Sequence, residues 1–137
     1  MKVLALDYGS ARTGVAVSDP TGTVARPLGV VEAAASEQGL ARLADLAREE
    51  EVERVVVGLP VTLRGERGAQ AEETSGFVEL LREALDLPIE TFDERFTTKL
   101  ARETRRRRAK RPSAPEDAVA AAHLLETYLT WKSARPA

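Results

Sequence analysis

Residues 3–10 read Val-Leu-Ala-Leu-Asp-Tyr-Gly-Ser, an apolar run that ends in a carboxylate. A run without polar residues is typical of a strand that is buried on both faces of a sheet. Such a position accepts a charge only at considerable cost unless the charge has a partner. We therefore expect Asp7 to have one, either the amides of the following turn, as in an Asx turn, or a cation.

The residues after this run predict two more strands. Residues 13–18 (TGVAVS) alternate as a second strand, and Gly9, Ser10 and Gly14 favour a tight connection to it. The connecting loop carries Arg12 and would let a phosphate approach the backbone closely. Residues 24–31 predict a third strand, placed at an edge by Pro27 because proline cannot donate a ladder hydrogen bond. The chain thus opens with an antiparallel meander.

The middle of the chain alternates helices and strands. Ser36 is a candidate N-cap for a helix with one apolar face, and residues 54–60 (RVVVGLP) read as a central parallel strand. A polar loop is expected over residues 62–70, and a fifth strand over residues 87–92. Between them lies a second amphipathic helix with apolar positions at Phe77, Leu80, Leu81 and Ala84. This order predicts an α/β fold: a five-stranded mixed sheet, antiparallel in its first three strands and flanked by helices.

The last third of the chain is basic and then apolar. Residues 97–108 favour a helix, but the arginine run has no apolar stripe and predicts a mobile basic loop. Residues 113–116 (SAPE) match a capping box that starts the last helix. Residues 118–125 are apolar on nearly every side, which predicts close packing on the sheet. His123 interrupts them and is more typical of a core or surface position than of a ligand, since it lies nearly two turns beyond Asp117.

Length and composition narrow the class of protein. A chain of 137 residues has the size of a single domain, residues 1–137. The absence of cysteine fits a reducing compartment and excludes disulfides, thiolate zinc sites and a cysteine nucleophile. The sequence shows neither a secretory leader nor an apolar run long enough to cross a membrane. These features predict a cytoplasmic protein with no membrane partner.

The formal net charge of -2 conceals a strong asymmetry. Residues 102–111 (RETRRRRAKR) contain seven basic residues and one acidic residue, a local charge of +6 that leaves -8 on the rest of the chain. Such a basic segment favours a polyanionic partner such as nucleic acid. A solvated surface with no partner is the alternative interpretation.

Acidic residues interrupt apolar elements at three places: Asp7 ends the first strand, Asp93 and Glu94 follow the fifth, and Asp117 lies in the first turn of the last helix. Strands one and five would bring these groups together if they share a sheet. Clustered carboxylates repel each other unless a cation neutralises them. Oxygen ligands, with a single histidine in the chain, favour Mg²⁺ or Mn²⁺ over zinc. Two such ions about 4 Å apart can hydrolyse a phosphodiester.

The chain resembles the YqgF/RuvX family through four ordered motifs that run along nearly its whole length. These are residues 6–19 (LDYGSARTGVAVSD), 57–60 (VGLP), 93–98 (DERFTT) and 117–129 (DAVAAAHLLETYL). The resemblance implies an RNase H-like fold, related to the RuvC-type Holliday junction resolvases, and a nuclease role in maturing the 5′ end of pre-16S rRNA. It also implies that Asp7, Glu94 and Asp117 are the metal-binding, catalytic acids.

Several neighbouring residues have two interpretations each. Asp93 and Glu94 are adjacent at a strand end, so only one should face the metals. Arg95, Thr97 and Thr98 would contact a backbone phosphate, although Thr97 could equally cap a helix. The basic run includes the candidate nucleic-acid clamp Arg105, Arg106, Arg107 and Arg108.

The sequence leaves three functions open. The first is a two-metal endonuclease acting on pre-rRNA or branched DNA, for which the likeness to dimeric RuvC-type resolvases leaves a homodimer open. The second is a non-catalytic RNA-binding adaptor that keeps the fold and uses its acids as caps. The third is an ATP-binding protein, disfavoured because the kinases and actins with a similar hairpin bind nucleotide between two lobes.

Overall fold

The computed structural model describes residues 1–59, 68–93 and 116–134. The elements in these residues are β1 (Val3–Asp7), β2 (Arg12–Ser18), β3 (Ala25–Glu32), α1 (Glu37–Glu49), β4 (Arg54–Leu59), α2 (Ala69–Ala84), β5 (Ile89–Asp93) and α3 (Glu116–Ser133). The strands form one sheet in the order β3-β2-β1-β4-β5. Strands β3, β2 and β1 pair antiparallel, and β1, β4 and β5 pair parallel. The predicted mixed sheet with an antiparallel start is confirmed.

The first strand is buried on both faces, as its composition predicts. Leu4 and Leu6 pack into a core with α1 and α2, whereas Val3 and Ala5 pack on the opposite face against α3. This alternation follows from the two-residue repeat of a strand. We call these two sides of the sheet the α1/α2 face and the α3 face. The first strand therefore anchors both halves of the core.

Local signals in the sequence identify the edge strand and the first helix correctly. β3 lies at the edge of the sheet, and its register against β2 shifts so that Val15 pairs with Gly29 but Ala16 pairs with Pro27. The extra residue forms a bulge at the proline, where the ladder cannot continue regularly. Ser36 caps α1 by accepting a hydrogen bond from the Gly39 amide at 3.0 Å.

Two predictions about α2 are wrong in detail. The helix begins at Ala69, so the end of the predicted polar loop is helical, and the rest of that loop, residues 60–67, lies outside the described residues. The helix buries Phe77, Val78 and Leu81, whereas Leu80 is 39% exposed and Ala84 is also exposed. Helical spacing identified the amphipathic helix, but the direction of its buried side depends on how the helix sits against β4 and β5.

The helix α3 packs along the sheet as predicted. Every residue from Ala118 to Leu125 is buried, including His123. Near its other end, the Tyr128 hydroxyl donates to Glu90 on β5 at 2.7 Å, and Arg54 on β4 lies 3.4 Å from the same carboxylate. Burial and then this hydrogen bond raise the pKa of Tyr128. The polar cluster fixes α3 to the parallel half of the sheet.

Across the helices in residues 1–59, 68–93 and 116–134, none is long and apolar enough to cross a membrane.

Candidate active site

Asp7 stands at the end of β1 and on the α3 face of the sheet. It continues the alternation of Val3 and Ala5, which pack against α3, and it is only partly buried. Its partner in the antiparallel register is Gly14 of β2. The carboxylate that ends β1 therefore lies at the end of the sheet from which α3 starts.

Gly14 brings the backbone of α3 against that of β2. A Cβ atom built on Gly14 would lie 1.7 Å from the Asp117 carbonyl oxygen and 2.3 Å from its carbonyl carbon. No side chain fits in that space, so a glycine is required for the contact. Residues directly opposite in an antiparallel pair have Cα atoms about 4.5–5.5 Å apart. One glycine thus places Asp7 on one side and Asp117 on the other.

Arg12 joins this pair of acids. It is the first residue of β2 and lies two positions before Gly14, so its side chain points to the same α3 face. Its Nε atom lies 3.3 Å from the Asp117 Oδ2 atom. The Arg12 side chain is 63% exposed and that of Asp117 is 33% exposed. The site therefore contains two carboxylates and one guanidinium, all within reach of solvent.

Tyr8 secures the end of β1 from the other face of the sheet. Its ring stacks on Phe77 of α2 with centroids 4.3 Å apart and planes inclined by 19°. Its hydroxyl donates a long hydrogen bond of 3.4 Å to Glu73. Burial, and then the negative charge of Glu73, raise the pKa of Tyr8. The residue after Asp7 is thus held by the core while Asp7 itself faces α3.

Strands β1 and β5 run in the same direction, so their C-terminal ends lie at the same end of the sheet. Asp93 is the last residue of β5 and pairs with Leu59. Glu90 and Phe92 contact α3, so by alternation Asp93 belongs to the α1/α2 face, opposite to Asp7. The other predicted site residues lie outside the described part of the chain: Glu94, Arg95, Thr97, Thr98, Arg105, Arg106, Arg107 and Arg108.

The sequence profile of the RuvX family, described as Holliday junction resolvase, matches residues 1–131. The chain belongs to the RuvX family. A relative from Chloroflexus aurantiacus, named "putative pre-16S rRNA nuclease", is 43% identical over 98% of this chain and 90% of its own length. A relative from Desulforamulus reducens with the same name is 39% identical over 94% of this chain and 96% of its own length.

Solved structures show the same fold as this RuvX chain. Thermus thermophilus RuvC, in complex with a Holliday junction substrate, superposes with a TM-score of 0.58 at 23% identity. The superposition covers 100% of this chain and 99% of RuvC. The fowlpox virus resolvase, in complex with Holliday junction DNA, gives a TM-score of 0.58 at 10% identity over 96% of this chain and 99% of its own. The predicted family and the RNase H-like fold of the RuvC type are confirmed.

The donor atoms that the RuvX chain offers fit a hard divalent cation. Asp7 and Asp117 provide carboxylate oxygens on one face, without any thiolate in the sequence. Among residues 1–59, 68–93 and 116–134, no three His, Asp or Glu side chains form a group that could hold a metal ion. The described residues therefore supply two of the three predicted acids.

Sequence reasoning missed the reason for Gly14 and the anchoring of Tyr8. The sequence predicts Gly14 in the second strand and in its tight connection to the first, but not its contact with α3 opposite Asp7. A glycine inside a strand is a known sign of close backbone approach, and that signal was present in the sequence. The stack of Tyr8 on Phe77 had no local signal, because 68 intervening residues separate the two.

Proposed function

We propose that this chain is a divalent-metal-dependent endonuclease of the RuvX family. Its membership in the family, the names of its relatives and its RuvC-like fold all support a hydrolase that cleaves phosphodiester bonds. The observation that carries the proposal is the close approach at Gly14, where the Asp117 backbone packs on the residue that pairs with Asp7. Two carboxylates at one exposed edge are hard to explain as turn caps alone.

Each charged residue of the site has a role in this proposal. Asp7, Asp117 and Glu94 hold two Mg²⁺ or Mn²⁺ ions, and Glu94 is chosen over Asp93 because Asp93 belongs to the other face of the sheet. Bound divalent ions supply charge that activates a water molecule and stabilises the leaving oxygen. Arg12, Arg95, Thr97 and Thr98 contact phosphates of the substrate, and Arg105–Arg108 clamp its backbone.

The substrate we assign is structured nucleic acid, either the 5′ end of pre-16S rRNA or a four-way DNA junction. The first is supported by the names of the relatives and the second by the family description and the RuvC complex. A cytoplasmic location and action as a single domain, with homodimerisation open, stay predictions from the sequence.

The test is cleavage of labelled substrates by purified protein. Pre-16S rRNA fragments and four-way junctions are incubated with Mg²⁺ or Mn²⁺ and with the wild type, Asp7→Asn, Glu94→Gln or Asp117→Asn. We expect each substitution to lower the cleavage rate at least about 100-fold, because even changes behind a metal's direct ligands cost 10–100-fold. Asp86→Asn is the matched control, since Asp86 is exposed and precedes β5 at the opposite edge of the sheet.

Two outcomes would contradict the proposal in different ways. Cleavage that is unchanged in Asp7→Asn would remove the metal-site assignment. A wild type that binds these substrates tightly and cuts neither with any metal would support the non-catalytic RNA-binding adaptor.

A further inference from the structure

The ion pair between Arg12 and Asp117 has a consequence for how the proposed site works, and the inference drawn from it rests on the proposed function. The Arg12 Nε atom lies 3.3 Å from Asp117 Oδ2. Glu32 of β3 stands directly across from Arg12 in the strand register, so a second carboxylate is near. The guanidinium nevertheless lies beside an acid assigned to the metal.

A guanidinium in this place neutralises the Asp117 charge in the absence of any other cation. Asp7 pairs with Gly14 and the Asp117 backbone packs on Gly14, so both carboxylates lie on the α3 side of this glycine, where like charges repel each other. A single positive charge beside them reduces that repulsion. The same guanidinium has the planar geometry that suits a phosphate, so it can serve either partner.

Arg12 can exchange Asp117 for another partner because the ion pair between them is weak. Arg12 is 63% exposed and Asp117 is 33% exposed, and solvent screens the attraction between them. Exposed pairs of this kind change an equilibrium by about fivefold at most. A bound nucleic acid carries many phosphate charges close together along its backbone, and these can therefore draw the guanidinium away.

We propose that Arg12 is an exchangeable counter-ion of Asp117. In the free protein it neutralises Asp117, and on binding of nucleic acid it moves to a substrate phosphate and leaves Asp117 for the divalent ion. Metal and nucleic acid then favour each other's binding, since each removes a competitor of the other, and such coupling is reciprocal.

The first test measures Mn²⁺ binding to the protein without nucleic acid, by titration with electron paramagnetic resonance of the free ion. Arg12→Gln removes the competing cation, so we expect its Mn²⁺ affinity to rise about two- to fivefold. Arg26→Gln is the matched control: Arg26 is 57% exposed and pairs with Glu50 at 3.0 Å, away from Asp117. An Mn²⁺ affinity that is unchanged or lowered in Arg12→Gln would overturn the proposal.

The second test needs neither metal nor cleavage, so it separates failure of this inference from failure of the proposed function. Binding of a labelled four-way DNA junction is measured in EDTA for the wild type, Arg12→Gln, Asp117→Asn and the double variant. Asp117→Asn removes a charge that repels the junction, both in the wild type and in Arg12→Gln. In the wild type it also releases Arg12 for a phosphate. We expect its gain in affinity to be about two- to fivefold larger with Arg12 than with Gln. Equal gains in the two backgrounds would refute the exchange.

Discussion

Gly14 is the residue on which the geometry of the site depends most directly. In Gly14→Ala the new methyl group would meet the Asp117 carbonyl at 1.7 Å, and backbone atoms cannot rotate away as a flexible side chain can. The start of α3 must therefore shift from β2. We expect a loss of about 1–3 kcal/mol in the free energy of unfolding, together with loss of cleavage. Urea unfolding followed by the fluorescence of Trp131, the single tryptophan, measures the stability.

A matched glycine controls for the effect of adding a methyl group to the sheet. A Cβ atom on Gly29 of β3 would meet no other atom within 4 Å. Gly29→Ala should therefore leave both stability and cleavage close to those of the wild type. If Gly14→Ala and Gly29→Ala unfold at the same urea concentration, the close contact with α3 does not constrain the fold.

Asp19 makes the stability of the β2–β3 turn depend on pH. The Thr21 hydroxyl and the Val24 and Thr23 amides donate to its carboxylate and lower its pKa from 3.8 to about 2. Because the folded-state pKa is depressed, the stabilisation is complete above pH 4 and is lost as the pH falls towards 2. Asp19→Asn should flatten the stability profile between these pH values.

The Asp19 prediction is checked by urea unfolding at several pH values between 2 and 5. Thr21→Val removes one donor and keeps the two backbone amides, so its profile should fall between those of the wild type and Asp19→Asn. Profiles of equal slope for the wild type and Asp19→Asn would show that these hydrogen bonds do not favour the ionised carboxylate.

At the scale of the elements, the two helices on the α1/α2 face contain glycines with opposite roles. Gly76 lies inside α2, and a Cβ there would meet no other atom within 4 Å. Gly39 lies inside α1, where a Cβ would come within 2.2 Å of the Ala33 carbonyl oxygen. Alanine is favoured over glycine in a helix by about 0.5–1 kcal/mol. We expect Gly76→Ala to stabilise the protein by that amount and Gly39→Ala to destabilise it, as measured by urea unfolding. Equal changes in stability for the two substitutions would show that helix propensity alone determines the effect of alanine at these positions.

Most elements of this fold could be predicted from the sequence because their signals are local. Ser36 caps α1 through an amide three residues away, and Pro27 marks an edge strand by its missing donor. The buried side of α2 could not be predicted in detail, because the exposure of Leu80 depends on elements far away in the chain. Periodicity defines a face of a helix but not the direction in which the sheet holds it.

At the scale of the whole molecule, the site joins residues that local patterns cannot connect. Asp7 pairs with Gly14 in the sheet register and the Asp117 backbone packs on the same glycine, and both contacts depend on the complete fold. The sequence shows the acids as charges that interrupt apolar elements, and the family resemblance implies that they bind a metal. Their juxtaposition needed coordinates, and the place of Glu94 beside them stays a prediction.

A second feature at this scale is the strongly acidic character of the α1/α2 face among the described residues. The segments that build the α1/α2 face, residues 37–53 and 69–86, contain eleven acidic and three basic residues. The proposed site opens on the other side of the sheet, at the α3 face, where Arg12 is exposed. A surface with a large excess of one sign repels a polyanion and directs it elsewhere. We therefore expect nucleic acid to approach from the α3 face and to avoid α2.

Single cysteines test this orientation, because the natural chain contains none. Ser10→Cys places a thiol in the exposed turn after β1, and Leu80→Cys places one on the exposed side of α2. With a photo-crosslinker attached, Ser10→Cys should capture a labelled four-way junction and Leu80→Cys should not. Reversing charges on α2 with Glu79→Lys and Glu83→Lys should then raise capture at Leu80→Cys, since the repulsion is removed. Equal capture at both positions in the original charge background would mean that the acidic face does not exclude nucleic acid.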